Sequence, residues 1–298
     1  MQSRPRYRPR LLRNDRKLLD TGSGSALQSS LTPPVPPGGR VASFFHQHGY
    51  AMARDVLVAL LAVGVTFTLD SRIATRQEQA DERRAAQQEA LENLRFVRDR
   101  AGDPVSIKPF NGIRLHEANL SGLALGCEEP QAPNCASFVG ADMRSADLSF
   151  VNLTNAELTH SNLSGARLLG AQLAGADIND AELDGANLLG ADLTGANLHD
   201  SELHDTDLFS AELSGAQISF AHLHNASLRD ANLFDSDLSY SSLFGADLTG
   251  ANLTNAVLTN VNLTEANLTG AVLTDVCFDD KTTWPSGYRR PATPSCET

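Results

Sequence analysis

From Phe138 to Phe278 every fifth residue is Leu, Ile, Met or Phe, twenty-nine times without a slip, and the residue two before each is Ala, Ser, Thr or Val. A step of five turns a side chain by about 140° around an α-helix and reverses the face of a strand. Neither element would gather these large residues on one side. A chain that buries two residues of every five, one large and one small, needs a short extended piece and a corner in each unit. Four corners close a square. Twenty residues then make one coil, with the large side chains turned to its axis and the small ones where the backbone approaches closely. Gly, Asn or Asp often follows the large residue by two, as at Gly170, Gly190, Asn155 and Asp180, as corners favour.

Units such as ADLTG at 191, ANLTN at 251 and ANLTG at 266 resemble the pentapeptide-repeat family, whose unit is written A(D/N)LXX. The resemblance covers over half the chain and is very specific. It implies an all-β solenoid, a right-handed quadrilateral β-helix whose handedness does not follow from spacing alone. Coils would stack about 4.8 Å apart. Leu115, Leu120 and Leu125 share the period but not the phase, and GCEEPQAPNCAS separates them from Phe138. The β-helix is therefore expected over residues 107–279 with a loop at 126–137. Both ends of such a stack need covering, because exposed ends invite pairing with other chains. At the far end, within a cap and tail over 280–298, Trp284 is placed to cover the last leucine layer and Pro285 to stop further pairing.

The chain ahead of the repeats has a different pattern. Residues 1–49, with RPRYRPRLLRNDRK and LTPPVPPGGR, show no sustained apolar period and read as a disordered basic arm. The run VLVALLAVGVTFTL from Val56 to Leu69 carries no charge, and residues 50–69 read as a single membrane-spanning helix, with a helix docked on the repeats as the alternative. Residues 70–101 read as a polar stalk or capping helix, free of Gly and Pro from Asp70 to Arg100, with Leu91, Leu94 and Val97 gathered in its last turns.

Composition sharpens this division. The chain is 41% apolar but only 6% aromatic, so small, repetitive side chains must fill its interior. A formal net charge of -12 hides a basic first fifty residues and an acidic repeat region, where 19 Asp or Glu face three Arg over residues 138–278. Such a region repels nucleic acid and attracts basic surfaces, so direct nucleic-acid binding by the repeats is not expected. The four cysteines form two local pairs at the edges of the repeats, Cys127 with Cys135 and Cys277 with Cys296. They suit loop-closing disulfides in an oxidising compartment, and the spacing suits free thiols equally. Which side of a membrane the repeats occupy is left open. Arginines after the apolar run favour the inside, the cysteine pairs and the basic arm the outside.

With the core positions assigned, outward residues twenty apart stack into ladders. Leu169, Leu189 and Phe209 make an apolar one ending at Arg229; His204, His224 and Phe244 make a second; Phe220 and Tyr240 make a third. These are candidates for an interaction surface, or pairs that stabilise adjacent strands. His222 lies close to the second ladder and His199 on an adjoining face, but no Cys accompanies them, and no metal or cofactor is expected. No nucleophile elbow, HExxH, phosphate loop or dinucleotide fingerprint appears, so no catalytic residue is assigned. Asn-Leu-Thr triplets such as Asn152 to Thr154 are products of the repeat rather than glycosylation signals. The sequence thus points to a noncatalytic, membrane-anchored interaction protein presenting an acidic repeat rod to a protein partner. Family resemblance supplies an alternative, a DNA-mimicking modulator of a type II topoisomerase such as gyrase.

Overall fold

The computed structural model describes residues 41–103, 108–130, 132 and 134–291, without the side chains of 41–56 and 60–71. The chain divides into two compact units, Met1–Ser71 and Arg72–Thr298. Helix α1 runs over Val41–Arg100, 60 residues. Residues 41–49, assigned by composition to the disordered arm, are therefore helical; 1–40 lie outside the described residues. Among the described residues no helix is long and apolar enough to cross a membrane, so the span expected at 50–69 finds no support. Its charge-free stretch, bounded by Asp55 and Asp70, falls short of the about 20 apolar residues a bilayer core asks for.

In the second unit the five-residue period becomes a solenoid. Strands β1 (Lys108–Pro109) and β2 (Ala136–Ser137) pair in parallel. Beyond them the ladder consists of single parallel bridges between residues twenty apart, such as Ser137↔Glu157, Asp142↔Asn162, Asp147↔Arg167 and Asn152↔Gln172. Four bridges per coil define four sides. Each extended piece contributes one bridging residue between turns, too little to form a named strand.

Backbone hydrogen bonding explains the consensus residues. In the unit from Asn187 to Ala191 the amide of Asn187 donates to Ala166 O at 2.9 Å, that of Leu188 to Asp207 O at 2.7 Å and that of Gly190 to Phe209 O at 2.9 Å. Ala191 N closes the turn onto Leu188 O at 2.9 Å. One amide is left, Leu189 N, and the Asn187 side chain accepts from it at 3.1 Å. The Asn or Asp before the leucine thus satisfies the fifth donor of its unit, which the neighbouring coils do not reach. The same contact recurs at Asp147 with Ser149 N, Asn162 with Ser164 N and Asp192 with Thr194 N.

Leucines and alanines line the interior almost without exposure. Packing is tight: a void bounded by Leu188, Leu193, Leu198, Leu203 and their neighbours measures only about 10 Å³. Each buried leucine contributes roughly 1.5–3 kcal/mol.

The first coil bridges the second at a spacing of 28, as in Arg114↔Asp142 and Asn119↔Asp147. Eight residues beyond the usual twenty form the inserted loop, so the apparent change of phase is one insertion. Phe110, not assigned from sequence, completes this coil with Leu115, Leu120 and Leu125, its ring 5.0 Å from that of Phe138 in the coil above. The Cys127–Cys135 disulfide closes the base of the insertion. Lys108 takes a small-residue position there, buried, its ammonium donating to Asn134 O at 3.1 Å. Burial pushes its pKa down, and Asp103 partly opposes this.

The end of α1 covers the first coil. Val97 is buried against the core, with Leu94 and Ala101 packed beside it, and Phe96 meets Phe110 edge-on at 5.7 Å. Carbonyls of the bridging residues have no coil below to accept from. Asn93 Nδ2 donates to Arg114 O at 2.9 Å, Arg98 to Asn119 O at 2.8 Å and Gly102 N to Ala124 O at 2.8 Å. At the other end Trp284 packs edge-on to Phe278 at 5.3 Å and stacks with Tyr288 at 5.7 Å. Cys277 is disulfide-bonded, and Cys296 lies outside the described residues.

Candidate interaction surface

The solenoid's corners are left-handed, and most non-glycine residues there are Asn or Asp, such as Asn155 at φ 56° and Asp180 at φ 55°. Phe220 and Tyr240 hold the same conformation, at φ 63° and 64°. A bulky residue in this region costs about 1–2 kcal/mol, and these two are only about half covered in return: they are 45% and 49% exposed. Their rings stack at 4.8 Å with an interplanar angle of 6°. His199 extends the cluster, edge-on to Phe220 at 5.2 Å, with Nδ1 held 2.9 Å from Ser219 Oγ. Phe150 is a third aromatic corner, φ 58° and 61% exposed, lying over Gly170, where an added Cβ would come within 2.9 Å of its ring.

The Leu169, Leu189 and Phe209 ladder stacks through Gly170 N to Leu189 O and Gly190 N to Phe209 O, each 2.9 Å. Leu169 and Phe209 are half-buried and Leu189 is exposed. Arg229 follows and turns aside to Asp247, 3.7 Å away. This ladder is broken by a charge, and its members cover one another more than they face water.

The histidine ladder is also present, with ring centroids of His204 and His224 4.7 Å apart and those of His224 and Phe244 6.2 Å apart. Two tripeptides twenty residues apart, Glu202-Leu203-His204 and His222-Leu223-His224, each turn their leucine inward. The flanking side chains meet on one outer face. Glu202 Oε2 lies 2.9 Å from His204 Nε2 and 3.1 Å from His222 Nδ1. The His222 and His224 rings lie parallel at 6.0 Å, and His224 Nε2 contacts Ser242 Oγ at 2.7 Å. Burial lowers the His224 pKa most, His204 and His222 lower it further, and Glu202 opposes them. The sequence ladders left out Glu202 and Phe150. The bridge Glu202↔His222 is the signal that adds Glu202: the residue before each leucine stacks at the same twenty-residue spacing as the residue after it.

Elsewhere on the rod, acids pair locally. The Arg144 guanidinium hydrogen-bonds Asp142 and holds its carboxyl below the usual range, and the Ser149 hydroxyl does the same for Asp147.

A family described as Pentapeptide repeats, with 8 copies, matches residues 136–171, 152–188, 171–208, 211–250 and 241–280. Among solved structures the chain is similar to HetL, a pentapeptide repeat protein involved in heterocyst differentiation regulation from the cyanobacterium Nostoc, at 30% identity. That match covers 63% of this chain and 94% of HetL, with a TM-score of 0.24. A pentapeptide repeat protein from the Arabidopsis thaliana thylakoid lumen matches at 30% identity over 34% of this chain and 66% of its own, with a TM-score of 0.27. Full-length QnrB1, a plasmid-mediated fluoroquinolone resistance protein, matches at 16% identity over 58% and 92%, with a TM-score of 0.25. No curated protein matches the chain.

Proposed function

Because the chain belongs to the pentapeptide-repeat family, we propose that its repeat domain is a noncatalytic interaction module that holds exposed side chains at fixed spacing for a protein partner. The Phe220–Tyr240 stack carries this reading. Two bulky rings occupy strained corners that Asn, Asp or Gly fill in most units, and both remain about half exposed. Stability alone does not account for that choice, whereas a flat aromatic platform beside His199 suits a binding surface. The test is site-specific photocrosslinking from position 240 in the cells that make the protein. A discrete adduct that disappears in Phe220→Asn, while the melting temperature is kept, supports the module. Absence of any adduct from position 240 and from position 199 retires it.

Charge favours a second reading, modulation of a type II topoisomerase by a DNA-like acidic rod, since residues 138–278 hold 19 acids against three Arg. It gives the aromatic corners no role. An unchanged gyrase supercoiling rate with the full chain in excess eliminates it. Membrane attachment through 50–69 is a separate proposal, supported only by the uncharged stretch from Val56 to Leu69. Complete release of the chain by alkaline carbonate eliminates the anchor and leaves the module intact.

A further inference from the structure

We propose that Glu202, His204 and His222 form a binding site for a divalent first-row transition ion of the zinc class. Each offers one ligand atom, and the three atoms lie within 4.8 Å of one another. Both imidazoles converge on the same carboxylate oxygen, at 2.9 and 3.1 Å. A tetrahedral ion with bonds near 2.0 Å holds its ligand atoms about 3.3 Å apart, so the two close pairs need to open by a few tenths of an ångström and the two nitrogens, no more than 4.8 Å apart, to close by up to about 1.5 Å. Two nitrogens and one carboxylate oxygen are a borderline donor set, suited to zinc, cobalt, nickel or copper rather than to calcium or magnesium.

The scaffold fixes these donors before an ion arrives. Glu202 and His222 are bridged backbone to backbone in adjacent coils. The inward Leu203 and Leu223 beside them are 1% exposed, which anchors both tripeptides. Asp184 accepts from the backbone N–H of His204 at 3.0 Å, tying the site to a third coil. His224 walls one side, its Nε2 engaged by Ser242. The ligand side chains of His204, His222 and Glu202 keep 31%, 49% and 41% of their surface, so solvent, or a group from another molecule, can complete the coordination sphere. The ion would thus cross-link two coils and offer an open position on the outer face.

The experiment uses the untagged full chain, stripped with a chelator and titrated with Zn²⁺ by calorimetry and with Co²⁺ by visible absorption. One equivalent is expected to bind, with d–d bands of a nitrogen–oxygen site, and a Zn²⁺-dependent rise in melting temperature is expected from linkage. His204→Asn and His222→Asn should each weaken binding by more than about tenfold. His160→Asn, at a distant His–Asp pair, should leave it unchanged. Circular dichroism of each variant separates loss of ligand from loss of fold. Failure of the wild-type chain to bind either ion, or equal binding by the folded His204→Asn/His222→Asn chain, overturns the site.

Discussion

Ser161 and Ser241 occupy the small-residue position that is alanine in most units, are buried, and leave their hydroxyls without a partner among the described residues. Ser201, at the same position of another unit, donates to Leu198 O at 2.7 Å. A buried hydroxyl without a partner costs roughly 1–3 kcal/mol. Ser161→Ala should therefore raise the melting temperature, by about 1 kcal/mol of stability, while Ser201→Ala should leave it level or lower. Equal shifts in the two variants would remove the explanation. The corners permit a second contrast. Gly185 sits at φ 64° with nothing within 4 Å of an added Cβ, so space does not limit it and conformation does. Gly185→Asn should be nearly neutral, because Asn155 and Asn225 hold the same corner conformation at φ 56° and 57°; Gly185→Val should lose about 1–2 kcal/mol, read from parallel melting curves. The sequence makes the small, large and corner positions plain, since each is a matter of volume or backbone freedom repeated many times. It does not disclose which serines find a carbonyl, because that depends on one rotamer in one coil.

At the scale of elements, the solenoid interior was legible and its ends were less so. A period of five with a large and a small residue has one economical solution, and the bridges at twenty follow it. The first coil was obscured because eight extra residues shift its phase, and Phe110 stands there with Lys108, rather than a small residue, two positions before it. Helix α1 was anticipated as a cap through Leu94 and Val97. The donors Asn93 and Arg98 were not, since nothing in their spacing marks the orphan carbonyls of a coil far along the chain. The C-terminal turn makes a testable case for such local chemistry. Asp279 Oδ1 accepts from Asn260 N at 2.9 Å, Thr282 N at 3.1 Å and Lys281 N at 3.2 Å. The Asn260 amide foremost, then the Thr282 hydroxyl and the other amides, hold its carboxyl below the ordinary 3.8. A carboxylate with a depressed folded pKa contributes stability that is fully present above its unfolded pKa and is lost as pH falls through the folded value. The turn should therefore stay intact down to about pH 3.8 and open below it. Trp284, the single tryptophan, reports this by fluorescence. Asp279→Asn should abolish this acid-dependent contribution, and a Trp284 transition at the same pH in both chains would assign it to other groups.

For the repeat unit as a whole, stability is close to a sum of coil terms and interfaces between neighbours, so the consequence of a lesion depends on its place in the stack. Leu188 is 1% exposed with leucine layers on both sides, and Val97 is buried where α1 meets the first coil. A carboxylate introduced at either site loses its hydration without gaining a partner. At position 188 it removes both interfaces of a central coil, and the rows of amides running through Leu188 N to Asp207 O and Asn187 N to Ala166 O lose their alignment. The parent chain is expected to melt in a single cooperative transition by circular dichroism, and Leu188→Asp should replace it with separate transitions for the coils before and after it. Val97→Asp removes one interface at an end. The carbonyls of Arg114, Asn119 and Ala124, released from Asn93, Arg98 and Gly102, can accept from water instead, and the coils beyond Phe138 keep all their neighbours. Hydrogen exchange should then show the amides of Leu115 and Leu120 losing protection in Val97→Asp while those of Leu193 and Leu213 retain it. The reverse holds for Leu188→Asp, where central protection falls most. Uniform loss of protection in both variants would mean that the rod opens all at once, and the description by neighbour interactions would have to be abandoned.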